Sequence, residues 1–124
     1  MRDEDVVRFR HLVRAAAVAA GLRLIDQTKL VTAASELARN ALEHGGGGHG
    51  EILPAATPDR RGVRLIIDDD GPGIAEVGLA LADGYTGGTG MGMGLPGSRR
   101  LVDLFEIWSE PGVGTCVTVE KWAT

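Results

Sequence analysis

The sequence predicts an α/β two-layer sandwich, a mixed β-sheet with its helices packed on one face. Three observations predict it. Two stretches with helical apolar spacing open the chain. Two short runs rich in β-formers follow. A glycine-rich segment and a third helical stretch then lead into two more such runs. No internal repeat and no linker divides the chain, so residues 1–124 are expected to form a single domain.

The elements follow in order. Val6 to Ala20 reads as an amphipathic helix ending at Gly21. Asp26 reads as the N-cap of a second, stronger helix. There Leu30, Ala33, Ala34, Leu37, Ala38, Ala41 and Leu42 form one apolar stripe. Its alanines imply that something packs close against it. The glycines Gly45 to Gly48 end this helix. Glu51 to Ala56 reads as a strand, Thr57 to Gly62 as a turn, and Val63 to Asp68 as a nearly all-apolar, central strand. A short helix over Glu76 to Leu81 and another from Leu95 to Leu104 come next. Phe105 to Ser109 and Cys116 to Trp122 read as strands joined by the turn EPGVG.

Composition bounds the function. Apolar content of 44% and charged content of 24% are ordinary for a globular chain able to bury its own core. A net charge of -4, with no long Lys/Arg run, argues against a dedicated nucleic-acid binder. The single cysteine, Cys116, excludes a disulfide framework and a multi-cysteine zinc site, and its alternating surroundings read as a buried strand. No run approaches ~18 apolar residues, so no membrane span is expected. The N-terminus has no apolar signal region, so the expected location is the cytoplasm.

Three clusters carry candidate chemistry. GGTGMGMGLPGSRR, Gly87 to Arg100, is costly to order, and glycine clusters let backbone N–H groups approach phosphate. It lacks the Gly-Lys-Ser/Thr of a P-loop. Gly92, Gly94 and Gly97 match G-x-G-x-x-G, but no strand precedes them, which excludes a dinucleotide fingerprint. What remains is a loop entering a helix whose N–H groups suit an anion, with Arg99 and Arg100 in its first turns. A ligand-free surface loop fits the same composition. On the second helix, Glu36 and Asn40 are four apart and share a face at the edge of the apolar stripe. Glu36 can accept a proton and the Asn40 amide oxygen suits Mg²⁺, although a solvated face also carries such pairs. In DDDGPGI, Asp68 to Ile74, a buried Asp69 would need a donor such as the adenine amine. Gly71 and Gly73 would then let the backbone pass close to the base.

Taken together, ELARNALEHG, DDDGPGI and GTGMGMGLPG resemble, in order and spacing, the N, G1 and G2 boxes of the GHKL ATPase superfamily. Within it, DQTKLVTAASELARNALEHGGGG, ADGYTGGTGMGMGLPGSRRLVDLFEI and GVGTCVTVEKW make the chain most similar to the anti-sigma regulatory serine/threonine kinases over nearly its whole length. The resemblance implies a Bergerat (HATPase_c-like) fold that binds ATP and Mg²⁺. It implies Glu36 as general base, Asn40 as the Mg²⁺ ligand and Asp69 as acceptor of the adenine amine, with Gly71 and Gly73 completing D-x-G-x-G. Gly90, Gly92 and Gly94 would form an ATP lid, with N–H groups near Gly94 and Leu95 meeting the phosphates. Thr115 would support the adenine pocket. Arg39, His44, Arg99 and Arg100 are further candidates for phosphate contact, against bland readings as solvated or helix-capping side chains.

The implied activity is phosphoryl transfer to a Ser or Thr of a STAS-domain antagonist, in a partner-switching stress pathway with a PP2C-type phosphatase or a sigma factor. A nucleotide-gated binding module, or a direct anti-sigma factor with little turnover, needs the same pocket. A histidine kinase half is disfavoured, because the chain has no phospho-acceptor helix. The lid tip, Tyr85 to Met93, and Trp122 are candidate partner contacts; Trp108 reads as packing, and His11 and His49 have no metal spacing. One departure stands out. Family members generally begin with a strand, and only MRDED precedes the first helix here. The expectation is either a sequence cut short of that strand or an open sheet edge, through which a homodimer could form.

Overall fold

The computed structural model describes residues 3–44, 48–69, 71 and 94–124. Two long helices come first, α1 over Asp3–Ala19 and α2 over Leu24–His44. Strands β1, His49–Ala56, and β2, Arg61–Asp69, follow. A short helix α3, Gly94–Arg100, precedes strands β3, Leu104–Glu110, and β4, Gly114–Trp122. The expected helix over Glu76 to Leu81 lies outside the described residues.

α1 ends where glycine permits it. Gly21 has φ 83°, its N–H donates to Val18 O (3.0 Å), and the Leu22 N–H donates to Ala17 O (3.0 Å). This pair of bonds closes a Schellman turn, and it tucks Leu22 and Ala17 together in the core. α2 starts earlier than expected. Its first turn closes with Gln27 N–H donating to Arg23 O at 2.8 Å, so Asp26 lies inside the helix and is not its N-cap. Asp26 is instead drawn into the interior by the Lys121 ammonium of β4, 3.7 Å away.

The sheet order is β1-β2-β4-β3. All three pairings are antiparallel, so the expected mixed sheet is corrected. Tight turns reverse the chain between β1 and β2 and between β3 and β4, and the register that joins the two hairpins, β2 with β4, runs antiparallel as well. β2 is central, as its apolar run predicts. Among the described residues no strand precedes α1, and β1 is an outer strand. β1 carries Pro54, a residue tolerated at a sheet edge because it has no N–H to offer.

The two layers meet at one core. Val6, Phe9, Val13 and Ala17 of α1 join Leu30, Ala34, Leu37, Ala38 and Ala41 of α2. They pack on Val63, Leu65 and Ile67 of β2 and on Val117 and Val119 of β4. The α2 alanines let α1 and α3 approach closely. α3 stops at Arg100, short of the expected Leu104. Asp103 is recruited by the sheet, its N–H donating to Glu120 O (2.9 Å) and its carboxylate accepting from the Trp122 N–H (2.8 Å).

Cys116 is half-buried and not fully buried. It alternates with Val117 and so points to the helix-free face, in register between Asp68 and Trp108. Burial, then the carboxylates of Asp68 and Glu51, push its thiol pKa up, which lowers the thiolate fraction at a given pH. Trp108 is exposed. Trp122 stacks under the Arg60 guanidinium (5.4 Å to the ring centroid), and its Nε1–H donates to Glu120 Oε1 at 3.2 Å.

Candidate functional site

One end of the sandwich gathers the chemistry. Strand register places Asp69 of β2 beside Thr115 of β4, and Thr115 beside Ser109 of β3. The three form a row across the sheet on the side that, two residues along each strand, carries Ile67, Val117 and Ile107 toward the helices. β2 ends here because Asp69 turns the chain: its Oδ1 accepts the Gly71 N–H at 2.9 Å. This Asx-type bond orients the carboxylate and commits part of one oxygen.

Thr115 is fixed in its turn. Its Oγ1 lies 2.9 Å from Ser109 Oγ, and Ser109 Oγ–H donates to Gly114 O at 3.1 Å. Ser109 was not among the residues singled out from sequence. Its signal was legible, since Ser109 and Thr115 flank the EPGVG turn and must pair once that turn closes.

The C-terminal end of α2 leads into β1, whose first residue pairs with the end of β2. The last residue of α2, His44, lies five positions before His49, and His49 pairs with Asp68. A Cβ on Gly48 would collide with the Asp68 carbonyl and lie 3.2 Å from Asp69 Cα. Glu36 and Asn40 sit half-buried on the C-terminal half of α2. Among the described residues, neither engages a hydrogen bond or ion pair, which leaves a carboxylate and an amide oxygen available one helical turn apart. Arg39 between them is exposed.

α3 packs against α2. It begins at Gly94, one residue before the expected start, and its Pro96, Gly97 and Ser98 are buried. Arg99 and Arg100 are exposed and occupy its last turn rather than its first turns, because the helix has only seven residues. There they face the negative end of the helix dipole. Gly73, Gly90 and Gly92, with the lid tip Tyr85 to Met93, lie outside the described residues. A shallow groove between α1 and the start of β1, bordered by Arg8, Phe9, Leu12 and His49, is separate from the Asp69–Thr115 row.

The arrangement suits a purine nucleotide. A fixed carboxylate beside a fixed hydroxyl can read a base amine, and a hard oxygen on an adjacent helix can meet a phosphate-bound cation. Among the described residues no group of three or more His, Cys, Asp or Glu side chains could cage a metal by itself. No helix among the described residues is long and apolar enough to cross a membrane.

Comparison with known proteins agrees with this geometry. Residues 25–123 match the family described as histidine kinase-, DNA gyrase B- and HSP90-like ATPases. The chain is 38% identical over 122 residues to the serine/threonine-protein kinase RsbT of Bacillus subtilis, covering 98% of this chain and 92% of that protein. It is 33% identical over 104 residues to the anti-sigma F factor of Halalkalibacterium halodurans, covering 80% of this chain and 71% of that protein. In fold it is similar to the nucleotide-free catalytic domain of histidine kinase ThkA, with a TM-score of 0.60 at 16% identity over 98% of this chain and 92% of that one. By sequence over most of its length, and by a four-stranded antiparallel sheet backed by helices, the chain belongs to the histidine kinase-, DNA gyrase B- and HSP90-like ATPase family.

Proposed function

We propose that the chain is a single-domain, Mg²⁺- and ATP-dependent protein serine/threonine kinase. The observations that support the reading are the pairing of Asp69, pinned by Gly71, with Thr115 at the end of β2, and the half-buried Glu36 and Asn40 on the C-terminal half of α2, neither of which engages a hydrogen bond or ion pair among the described residues. The 38% identity to a protein named serine/threonine-protein kinase supports the same activity.

ATP supplies the phosphoryl group, and Mg²⁺ neutralises the charge on its phosphates. Asp69 accepts from the adenine amine, while Thr115 supports the base from the neighbouring strand. Asn40 holds the cation through its amide oxygen. Glu36 takes the proton of the attacking Ser or Thr hydroxyl as that oxygen bonds to the γ-phosphorus and the bond to the leaving ADP oxygen breaks. Gly71 and Gly73 let the backbone pass the base. Gly90, Gly92 and Gly94 form the lid, and N–H groups at Gly94 and Leu95 meet phosphate. Arg39, His44, Arg99 and Arg100 are the cations available to add charge around it. The protein acceptor is a STAS-domain antagonist in a partner-switching pathway of the cytoplasm, which also holds a PP2C-type phosphatase or a sigma factor. The exposed edge of β1 is the surface on which a second copy could pair.

A second reading has its own support. The relatives named anti-sigma F factor favour a nucleotide-gated binding module that engages a sigma factor with little turnover. One experiment separates the two. The protein is incubated with Mg²⁺, γ-labelled ATP and a purified STAS-domain protein. Label on a Ser or Thr of the partner supports the kinase. Nucleotide-dependent complex formation without label supports the module, and absence of nucleotide binding overturns both.

A further inference from the structure

We propose that the sheet face opposite the core, centred on Trp108, docks an arginine-bearing segment of a partner protein. The inference is separate from the nucleotide reading, because Asp69 and Thr115 share the core-facing side of their strands with Ile67 and Val117.

Strand alternation builds this face. Phe105 and Ile107 of β3 pack against the core, so Glu106, Trp108 and Glu110 point the other way. All three are exposed, and 54% of the Trp108 surface is open to solvent. Register puts Trp108 beside Cys116, with Asp68 next in the same row. An indole thus stands among carboxylates. Among the described residues neither Glu106 nor Glu110 meets a cation.

The same face holds a matching arrangement that is already filled. Trp122 leans over Gly62, where an added Cβ would lie 2.9 Å from the indole. The Arg60 guanidinium sits 5.4 Å from the centroid of that ring. Glu120 stands next to it, accepting from Trp122 Nε1–H at 3.2 Å and from Arg64 Nε–H at 2.7 Å. There an indole and a carboxylate are answered by two arginines of the chain itself. Trp108, Glu106 and Glu110 offer the same groups at alternate positions of β3 and leave the arginine to be supplied from outside.

Arginine fits such a place better than lysine. Its planar guanidinium stacks on an indole and still turns N–H donors from its edge to carboxylates. A lysine ammonium is a compact, strongly hydrated charge that cannot serve both in one geometry. The negative sign of the face turns away phosphate-bearing partners. Alternate positions on a strand are about 6.6 Å apart, so an extended segment with arginine at every second position keeps step with Glu106, Trp108 and Glu110.

The test titrates the full chain with two blocked peptides, Arg-Ser-Arg-Ser-Arg and Lys-Ser-Lys-Ser-Lys. Heteronuclear NMR spectra follow the Trp108 indole N–H, assigned by its loss in Trp108→Leu, and the backbone signals of β3. The arginine peptide should shift the indole signal and bind about three-fold or more tighter than the lysine peptide. Trp108→Leu should remove the difference between the two peptides. Glu106→Gln/Glu110→Gln should weaken both, by about three-fold or more, and flatten their dependence on salt. An unmoved indole signal, equal affinity for the two peptides, or wild-type binding by the variants overturns the proposal. Sedimentation supplies the remaining outcome: a wild-type dimer that Trp108→Leu disperses means that a second copy covers the face, and the proposal falls. Should Trp108→Leu not fold, the Glu106→Gln/Glu110→Gln variant decides by itself.

Discussion

Lys121 Nζ at the end of β4 lies 3.7 Å from Asp26 Oδ1 in the first turn of α2, with the two side chains only 11% and 8% exposed. A buried charge pair holds the start of the helix layer against the sheet at the end opposite the candidate site. Each partner has a second contact with a more exposed side chain: Arg23 with Asp26 at 3.4 Å, and Asp103 with Lys121 at 3.5 Å. Breaking such a pair from one side leaves a charge in a dry place, which costs about 3 kcal/mol. Lys121→Met should lose about that much in urea unfolding, and Lys121→Met/Asp26→Leu should recover most of it. Single and double variants of equal stability would show that the two side chains are not coupled.

Glu36→Ala should abolish phosphoryl transfer to a STAS-domain partner, by roughly 100-fold or more, while ATP affinity stays within a factor of about two. Transfer near the wild-type rate would remove Glu36 from the role of base. Loss of ATP binding would make it a nucleotide ligand instead.

Gly48→Ala should damage the site without changing a site side chain. The added methyl meets the Asp68 carbonyl and the Cα of Asp69, so the end of β2 has to move. The expected result is a stability loss of about 1–3 kcal/mol and a measurable fall in ATP affinity. Gly21→Ala is the control. Its φ of 83° disfavours alanine, yet nothing lies within 4 Å, so it should cost about 1 kcal/mol and leave ATP affinity unchanged. Equal affinity loss in both variants would contradict the local account.

Cys116 should alkylate slowly at pH 8. Its thiol pKa is raised first by burial and then by Asp68 and Glu51, and the thiolate is the reacting species. Removing either charge lowers the pKa, which raises the thiolate fraction at a given pH. Glu51→Gln and Asp68→Asn should each therefore speed iodoacetamide labelling, and because burial is the leading cause, only part of the retardation should disappear. Unchanged labelling rates in both variants would mean that the carboxylates do not reach the thiol.

The sandwich and its core stripe could be read locally. The α2 positions Leu30 through Ala41 recur at helical spacing, and all of that stripe up to Ala41 is buried. The run Val63 to Asp68 was continuous enough to announce a central strand. The candidate site residues were visible as three short motifs, whose order and spacing pointed to one family before any contact was known. Legible too, had the hairpin been closed on paper, was the pairing of Ser109 with Thr115.

Tertiary structure alone decided the rest. Asp26 has the residue type of a cap, but Lys121 lies ninety-five positions away in sequence and pulls it inside. Cys116 looked buried in an apolar run, yet register turns it to the face opposite the core that α1 and α2 cover. The third helix promised to reach Leu104, and Asp103 is instead taken by the backbone of β4. Propensity and periodicity act over a few residues and select helix or strand. Which strand an element pairs with, and which charge answers a buried carboxylate, depends on groups brought together only after the chain has closed on itself.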